Sequence, residues 1–286
     1  MPPLATRRAL ASAAAGLIAS PALPRAAAAQ AAPLQLGVMP NVSARILMGQ
    51  YQPVRGYLAE QLGRPVEVVT APGLQPFHER SLAGAYGVVV TAANLGRVAQ
   101  LDAGLRPVAI YEPRIAGVLV AHRDHPLDDL GLLRGRQVAM TNPQSLVALR
   151  FQHWLRAEAG LVVGQDVQAL HARNEDSLAQ LLGGPSTPLA VMSRGEFNAI
   201  RPEIRDTLVV RQEFERVPGF WVLLARDTPP AEAAAIEAAL GRFGTTDVAR
   251  QFFQATGFTA IRPITAADMA ELDSVAEETR RLLARS

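Results

Sequence analysis

Short apolar segments alternate with longer amphipathic segments along most of this 286-residue chain. The segment 34–39 has the length and composition of a strand, and apolar residues then recur at helical spacing from Ile46 to Leu62. A strand followed by a helix and a second strand is the unit that builds parallel sheets covered by helices. The order therefore predicts an α/β protein.

The alternation restarts once, after an apolar strand expected at 115–121. The other strands are expected at 34–39, 65–70, 86–91, 107–111, 137–140, 167–171, 189–192, 207–210 and 220–225, and only helices are expected beyond them, up to 266–284. Two α/β units joined by two crossings predict a two-lobed clamshell, each lobe a mainly parallel sheet flanked by helices, with C-terminal helices. We expect 34–118 and 213–286 to form the first lobe and 119–212 to form the second.

The first 29 residues have the pattern of an export signal. Arg7 and Arg8 precede an apolar stretch from 9 to about 23, and the alanines at 26–29 supply an A-x-A cleavage site. Paired arginines resemble a twin-arginine signal, with a Sec signal as the alternative. Cleavage near Ala29 removes three arginines and no acidic residue, so the formal charge falls from +2 to −1. We expect a soluble protein in the periplasm.

Cysteine and lysine are both missing, and all 28 basic residues are arginine. A thiol nucleophile, a Walker A lysine and a Schiff-base lysine are therefore excluded. No basic run with interleaved aromatic residues occurs, so no nucleic-acid partner is expected. His122 and His125 flank a loop without a second cluster of metal ligands. We expect no catalytic residue, no metal and no cofactor.

A series of short motifs resembles a known family. The motifs are GVMP at 37–40, YQP at 51–53, LGRPVE at 62–67, the segment 130–138, NPQS at 142–145, NEDS at 174–177 and AVM at 190–192. Their order from about residue 34 to about 258 is similar to that of the phosphate/phosphite/phosphonate-type substrate-binding proteins of ABC transporters. The resemblance implies a type 2 periplasmic-binding-protein fold, in which two lobes close on a small anion that is then delivered to a membrane permease.

The resemblance also implies which positions contact the ligand. They are Asn41, Ser43, Thr91, Asn94, Asn142, Gln144, Ser145 and Asn174. Helix N-terminal amides together with Ser, Thr and Asn side chains can bind an oxyanion without a full counter-charge. The alternative is that these residues are ordinary helix caps and turns, which Ser and Asn also favour.

Two other functions stay open on the sequence alone. An extracytoplasmic sensor of the same fold would use the same pocket and act on a membrane sensor kinase. A small exported hydrolase would need a nucleophile and a base, and no such set is visible. We expect a monomeric binding protein without chemistry of its own. The last helix could pack on the first lobe or mediate contacts with a partner.

Overall fold

The computed structural model describes residues 32–125, 127–182, 184 and 186–284, so the expected export signal lies outside the described residues. Within them the strands form two separate sheets, one of six strands and one of five, and helices flank both. This arrangement confirms the two-lobed α/β class. In the same part of the chain, no helix combines the length and apolarity needed to cross a bilayer.

The elements follow the alternation expected from the sequence. The strands are β1 (Leu34–Val38), β2 (Val66–Val69), β3 (Val88–Thr91), β4 (Arg106–Glu112), β5 (Ile115–His122), β6 (Gln137–Met140), β7 (Gln168–His171), β8 (Leu189–Ser193), β9 (Leu208–Val217), β10 (Trp221–Leu224) and β11 (Ala260–Pro263). The helices are α1 (Ala44–Leu62), α2 (Leu74–Leu82), α3 (Ala93–Ala103), α4 (Leu146–Ala159), α5 (Glu175–Leu181), α6 (Arg194–Ala199), α7 (Pro202–Arg205), α8 (Pro230–Phe243), α9 (Asp247–Thr256), α10 (Ala266–Ala270) and α11 (Asp273–Ala284).

Both sheets are mixed rather than mainly parallel. The first has the order β11-β4-β10-β3-β1-β2 and the second β7-β6-β8-β5-β9. β1 is parallel to β2 and β3, and β6 is parallel to β7 and β8, whereas β10 and β5 are antiparallel to their neighbours. The reason is that β5 and β10 each follow a crossing from the other sheet. They start at the edge where the parallel strands end, and therefore run the opposite way.

The chain crosses between the sheets twice, through the segments 113–114 and 218–220. The two crossings lie side by side, because the Tyr111 N–H donates to the Phe220 carbonyl at 2.9 Å. β5 begins at Ile115 and β9 ends at Val217, both in the second sheet. The lobe boundaries expected after residues 118 and 212 remain a prediction.

Two elements differ from the expected pattern. β9 is ten residues long, whereas a short strand at 207–210 is expected. It pairs with β5 alone, at the edge of the sheet, so its exposed polar residues hide the apolar signal of a strand. β11 interrupts the expected all-helical tail and pairs with β4. Gly257, with φ of 79°, ends α9 before it, and the Thr265–Asp268 capping box starts α10 after it.

The C-terminal helix packs on the first lobe. Val275 of α11 and Leu272, which precedes the helix, are both buried. α11 lies against α3, where Asp273 and Arg280 form ion pairs with Arg97 and Asp102 at 2.7 and 2.6 Å. The last helix is therefore part of the first lobe's packing.

Gly219 is expected to be essential for the second crossing. A methyl group at this position would overlap the carbonyl oxygen of Tyr111, which is backbone and cannot move aside freely. We expect Gly219→Ala to lower the free energy of unfolding by about 1–3 kcal/mol, measured by urea denaturation. Gly244→Ala is the matched control, because a methyl group there meets no atom within 4 Å. Equal stability of the two variants would contradict this prediction.

Candidate functional site

A small cavity lies between the two sheets, beside the crossings. Its volume is about 40 Å³, and its polar lining consists of Asn41, Asn142, Ser145, Ser193 and Glu196. These residues follow or end β1, β6 and β8, so they lie at the carboxyl ends of parallel strands, where open α/β sheets bind their ligands. We call this cavity the inner pocket.

Three of the eight residues expected at the site line the inner pocket, namely Asn41, Asn142 and Ser145. The other five lie outside its lining and have contacts of their own. They are Ser43, Thr91, Asn94, Gln144 and Asn174. Thr91 is 2% exposed and lies opposite Trp221 in the first sheet, and Asn174 caps α5 by accepting the Ser177 N–H at 2.8 Å.

Ser145 caps the N-terminus of α4 inside the inner pocket. Its Oγ accepts the Ala148 N–H at 3.1 Å, and its own N–H donates to the Asn142 carbonyl at 3.0 Å. A serine hydroxyl that accepts a hydrogen bond can still donate its hydrogen. The first amides of a helix also lack intrahelical partners, and Leu146 and Val147 line the pocket. This end of α4 is therefore a group of hydrogen-bond donors.

Glu196 brings a carboxylate into the same pocket. It forms a capping box with Ser193, whose N–H donates to the Glu196 carboxylate at 2.7 Å and whose Oγ accepts the Glu196 N–H at 3.1 Å. The second carboxylate oxygen bonds to the Thr141 hydroxyl. Burial raises the pKa of Glu196, and the nearby charge of Glu175 raises it further. Ser193 and Glu196 were not expected at the site, although the S-x-x-E spacing is a signal that could have found them.

A second carboxylate reaches across the gap between the sheets. Glu175, in the first turn of α5, accepts the Ser43 N–H at 3.1 Å and is 3% exposed. Ser43 is the N-cap of the 19-residue helix α1, whose N-terminus carries a partial positive charge. A side chain of the second lobe therefore occupies the position that the sequence assigned to a ligand oxygen.

Asn94 and the C-terminal helix form a further contact between the lobes. Asn94 is fully buried on α3, and its Nδ2 donates to the Gln144 carbonyl and to the Thr279 hydroxyl, both at 3.2 Å. On the same side, His153 of α4 and Glu278 of α11 are 3.0 Å apart. Of the sequence-expected residues, Ser43, Asn94 and Gln144 thus hold the lobes together.

A larger cavity adjoins the inner pocket and shares four lining residues with it. Its volume is about 510 Å³, and α1, α6, β9, the end of α9 and the first crossing supply its walls. The shared residues are Asn41, Ile115, Ser193 and Phe220. We call this cavity the outer chamber. Within the described ranges of the chain, no group of three or more His, Asp or Glu side chains could hold a metal ion.

Solved structures with the same fold are binding proteins and a sensor domain. A binding protein component of an ABC phosphonate transporter from Pseudomonas aeruginosa is 13% identical, with a TM-score of 0.76 over 88% of this chain and 89% of its own. PhnD1 from Prochlorococcus marinus, solved with methylphosphonate, is 11% identical, with a TM-score of 0.72 over 87% of this chain and 98% of its own. A histidine kinase sensor domain is 14% identical, with a TM-score of 0.56 over 81% of this chain and 99% of its own.

A family model gives the assignment by sequence. No curated protein matches the chain. The model of the periplasmic substrate-binding protein of phosphonate ABC transporters matches residues 36–269, which span both sheets and both cavities. The chain therefore belongs to the family of periplasmic substrate-binding proteins of phosphonate ABC transporters.

Proposed function

We propose that this protein captures a small oxyanion of the phosphate, phosphite or phosphonate type between its two lobes and delivers it to a membrane permease. The observation that carries the proposal is the inner pocket, where Asn41 of the first lobe faces Asn142 and Ser145 of the second. Donors from both lobes favour closure, because only the closed state offers all of them to the ligand.

The setting of the protein is part of the same proposal. We place the chain in the periplasm as a monomer, after removal of an export signal near Ala29. A sensor acting on a membrane kinase would use the same pocket with a different partner. Transport is the better-supported function, because the family model is that of a transporter component and the sensor domain is the weaker structural match.

The carboxylate of Glu175 bears on how the lobes close. It bonds to Ser43 across the gap, and it is almost completely buried. A hydrogen bond to a charged group contributes about 1.5–3 kcal/mol, and this one exists only while the lobes are together. We propose that Glu175 stabilises the closed state before any ligand arrives. The ligand then adds to an existing bias toward closure.

The first prediction concerns the donor group at α4. We expect Ser145→Ala to weaken binding of methylphosphonate at least about 10-fold, because a hydrogen bond to a charged oxygen is lost. Isothermal titration calorimetry measures the dissociation constant. Thr246→Ala is the matched control, since Thr246 caps α9 in the same way, accepting the Ala249 N–H at 3.1 Å, but lies outside both cavities. Equal losses in the two variants would mean that Ser145 acts through stability alone.

The second prediction concerns closure without ligand. We expect Glu175→Ala to shift the ligand-free protein toward the open state and raise its radius of gyration, measured by small-angle X-ray scattering. Glu175→Gln keeps an acceptor oxygen for the Ser43 N–H, so this variant should shift toward the open state less than Glu175→Ala does. Asp176→Ala is the control, because the neighbouring Asp176 pairs with Arg201 inside the second lobe at 2.7 Å. If all variants and the wild type scatter identically, Glu175 does not stabilise the closed state.

The third prediction concerns pH. The raised pKa of Glu196 means that its carboxylate becomes neutral at a higher pH than an ordinary glutamate as the pH falls. A neutral Glu196 does not repel an anion in the inner pocket, so methanesulfonate, which stays ionised throughout, should bind more tightly toward low pH. Glu196→Gln should bind tightly at every pH. The exposed Glu203→Gln control should keep the pH dependence, and a flat wild-type profile would contradict the prediction.

A further inference from the structure

The outer chamber is large enough to hold the body of an organic ligand. At about 510 Å³ it falls within the range of small-molecule sites, and it adjoins the inner pocket, with which it shares four lining residues. Ile46, Phe220 and Phe258 supply apolar wall against which a short carbon chain can pack. A bare phosphate or methylphosphonate in the inner pocket would leave this chamber to water.

Arginine side chains give the chamber its charge. Arg114, Arg194 and Arg216 all line it. Arg114 pairs with Glu271 at 2.6 Å, and Arg216 pairs with Glu213 at 2.6 Å. These two positive charges are therefore balanced by neighbouring carboxylates.

Arg194 differs from the other two arginines. It is half-buried, and among the described residues it has no carboxylate partner. Its guanidinium lies over the ring of Phe197, 5.8 Å from the ring centroid. Arg194 lines the outer chamber but not the inner pocket, so it lies beside the space that a ligand extending beyond the inner pocket would occupy.

We infer that the ligand carries two acidic groups: an oxyanion head in the inner pocket and, on a short carbon chain, a carboxylate that pairs with Arg194 in the outer chamber. A planar guanidinium matches a carboxylate with two parallel hydrogen bonds. This inference rests on the proposed function, because the head group must occupy the inner pocket for the second group to reach Arg194. The class of ligand is therefore a carboxyalkyl phosphonate rather than a simple alkyl or aminoalkyl phosphonate.

Three probes of matched length test the inference with the purified full-length chain. They are 3-phosphonopropionate, propylphosphonate and 2-aminoethylphosphonate, which end in a carboxylate, a methyl group and an ammonium group. By calorimetry we expect 3-phosphonopropionate to bind at least about 10-fold more tightly than propylphosphonate, and 2-aminoethylphosphonate to bind most weakly.

Variants of Arg194 identify the residue responsible. Arg194→Gln should abolish the preference for the carboxylate over the methyl end group, and Arg194→Lys should keep part of that preference. Arg123→Gln, at an exposed position outside both cavities, should behave as wild type. Thermal unfolding of each variant checks that the fold is intact.

The outcomes separate this inference from the proposed function. If Ser145→Ala weakens all three probes while Arg194→Gln changes none, the oxyanion site stands and the inference is overturned. A carboxylate preference that persists in Arg194→Gln also overturns it. If Arg194→Gln abolishes the preference but Ser145→Ala leaves every affinity unchanged, the head group does not bind in the inner pocket, and the inference falls together with the proposed function. If no phosphonate binds, both fall.

Discussion

The paired crossings between the two sheets are the constraint on which the rest of the molecule depends. Tyr111 and Phe220 hold the two strands side by side through a backbone hydrogen bond. Gly219 allows this approach because it has no side chain to meet the Tyr111 carbonyl. Both crossings start or end at the carboxyl edges of the parallel strands, so they also form one side of the binding cleft.

Three kinds of group determine the electrostatics of the cleft: neutral hydrogen-bond donors, buried carboxylates and one arginine. Neutral donors at the start of α4 form the proposed oxyanion site, which has no fixed counter-charge. The carboxylates of Glu175 and Glu196 each accept a hydrogen bond from a backbone amide, which stabilises two acidic side chains close to the proposed anion site. Arg194 supplies the unbalanced positive charge, and it lies in the adjoining chamber. The negative charges of Glu175 and Glu196 and the positive charge of Arg194 therefore lie in different parts of the cleft. This separation favours a ligand that has one acidic group in the inner pocket and a second one in the outer chamber.

The sequence predicted the fold well, because the alternation of strands and helices is a local signal. The sequence was a poor guide to features that depend on contacts between residues distant in the chain. The strand β11 is four residues long and only intermediate in burial, so its pairing with β4 leaves no periodic pattern. Asn41, Asn142 and Ser145 could be expected in the pocket, because the motifs that contain or adjoin them resemble those of the family. Glu175 and Arg194 could not, because their roles depend on which element the folding brings to face them.

The packing of α11 has a mechanical consequence. The helix lies on α3 of the first lobe, yet its Glu278 reaches His153 of the second, and Asn94 links Thr279 to the Gln144 carbonyl. Any hinge motion that separates α3 from α4 must break both connections. Opening of the lobes would therefore also separate the partly exposed His153 and Glu278 side chains. A membrane component that touches α11 and α4 together would distinguish the closed from the open receptor without contacting the ligand.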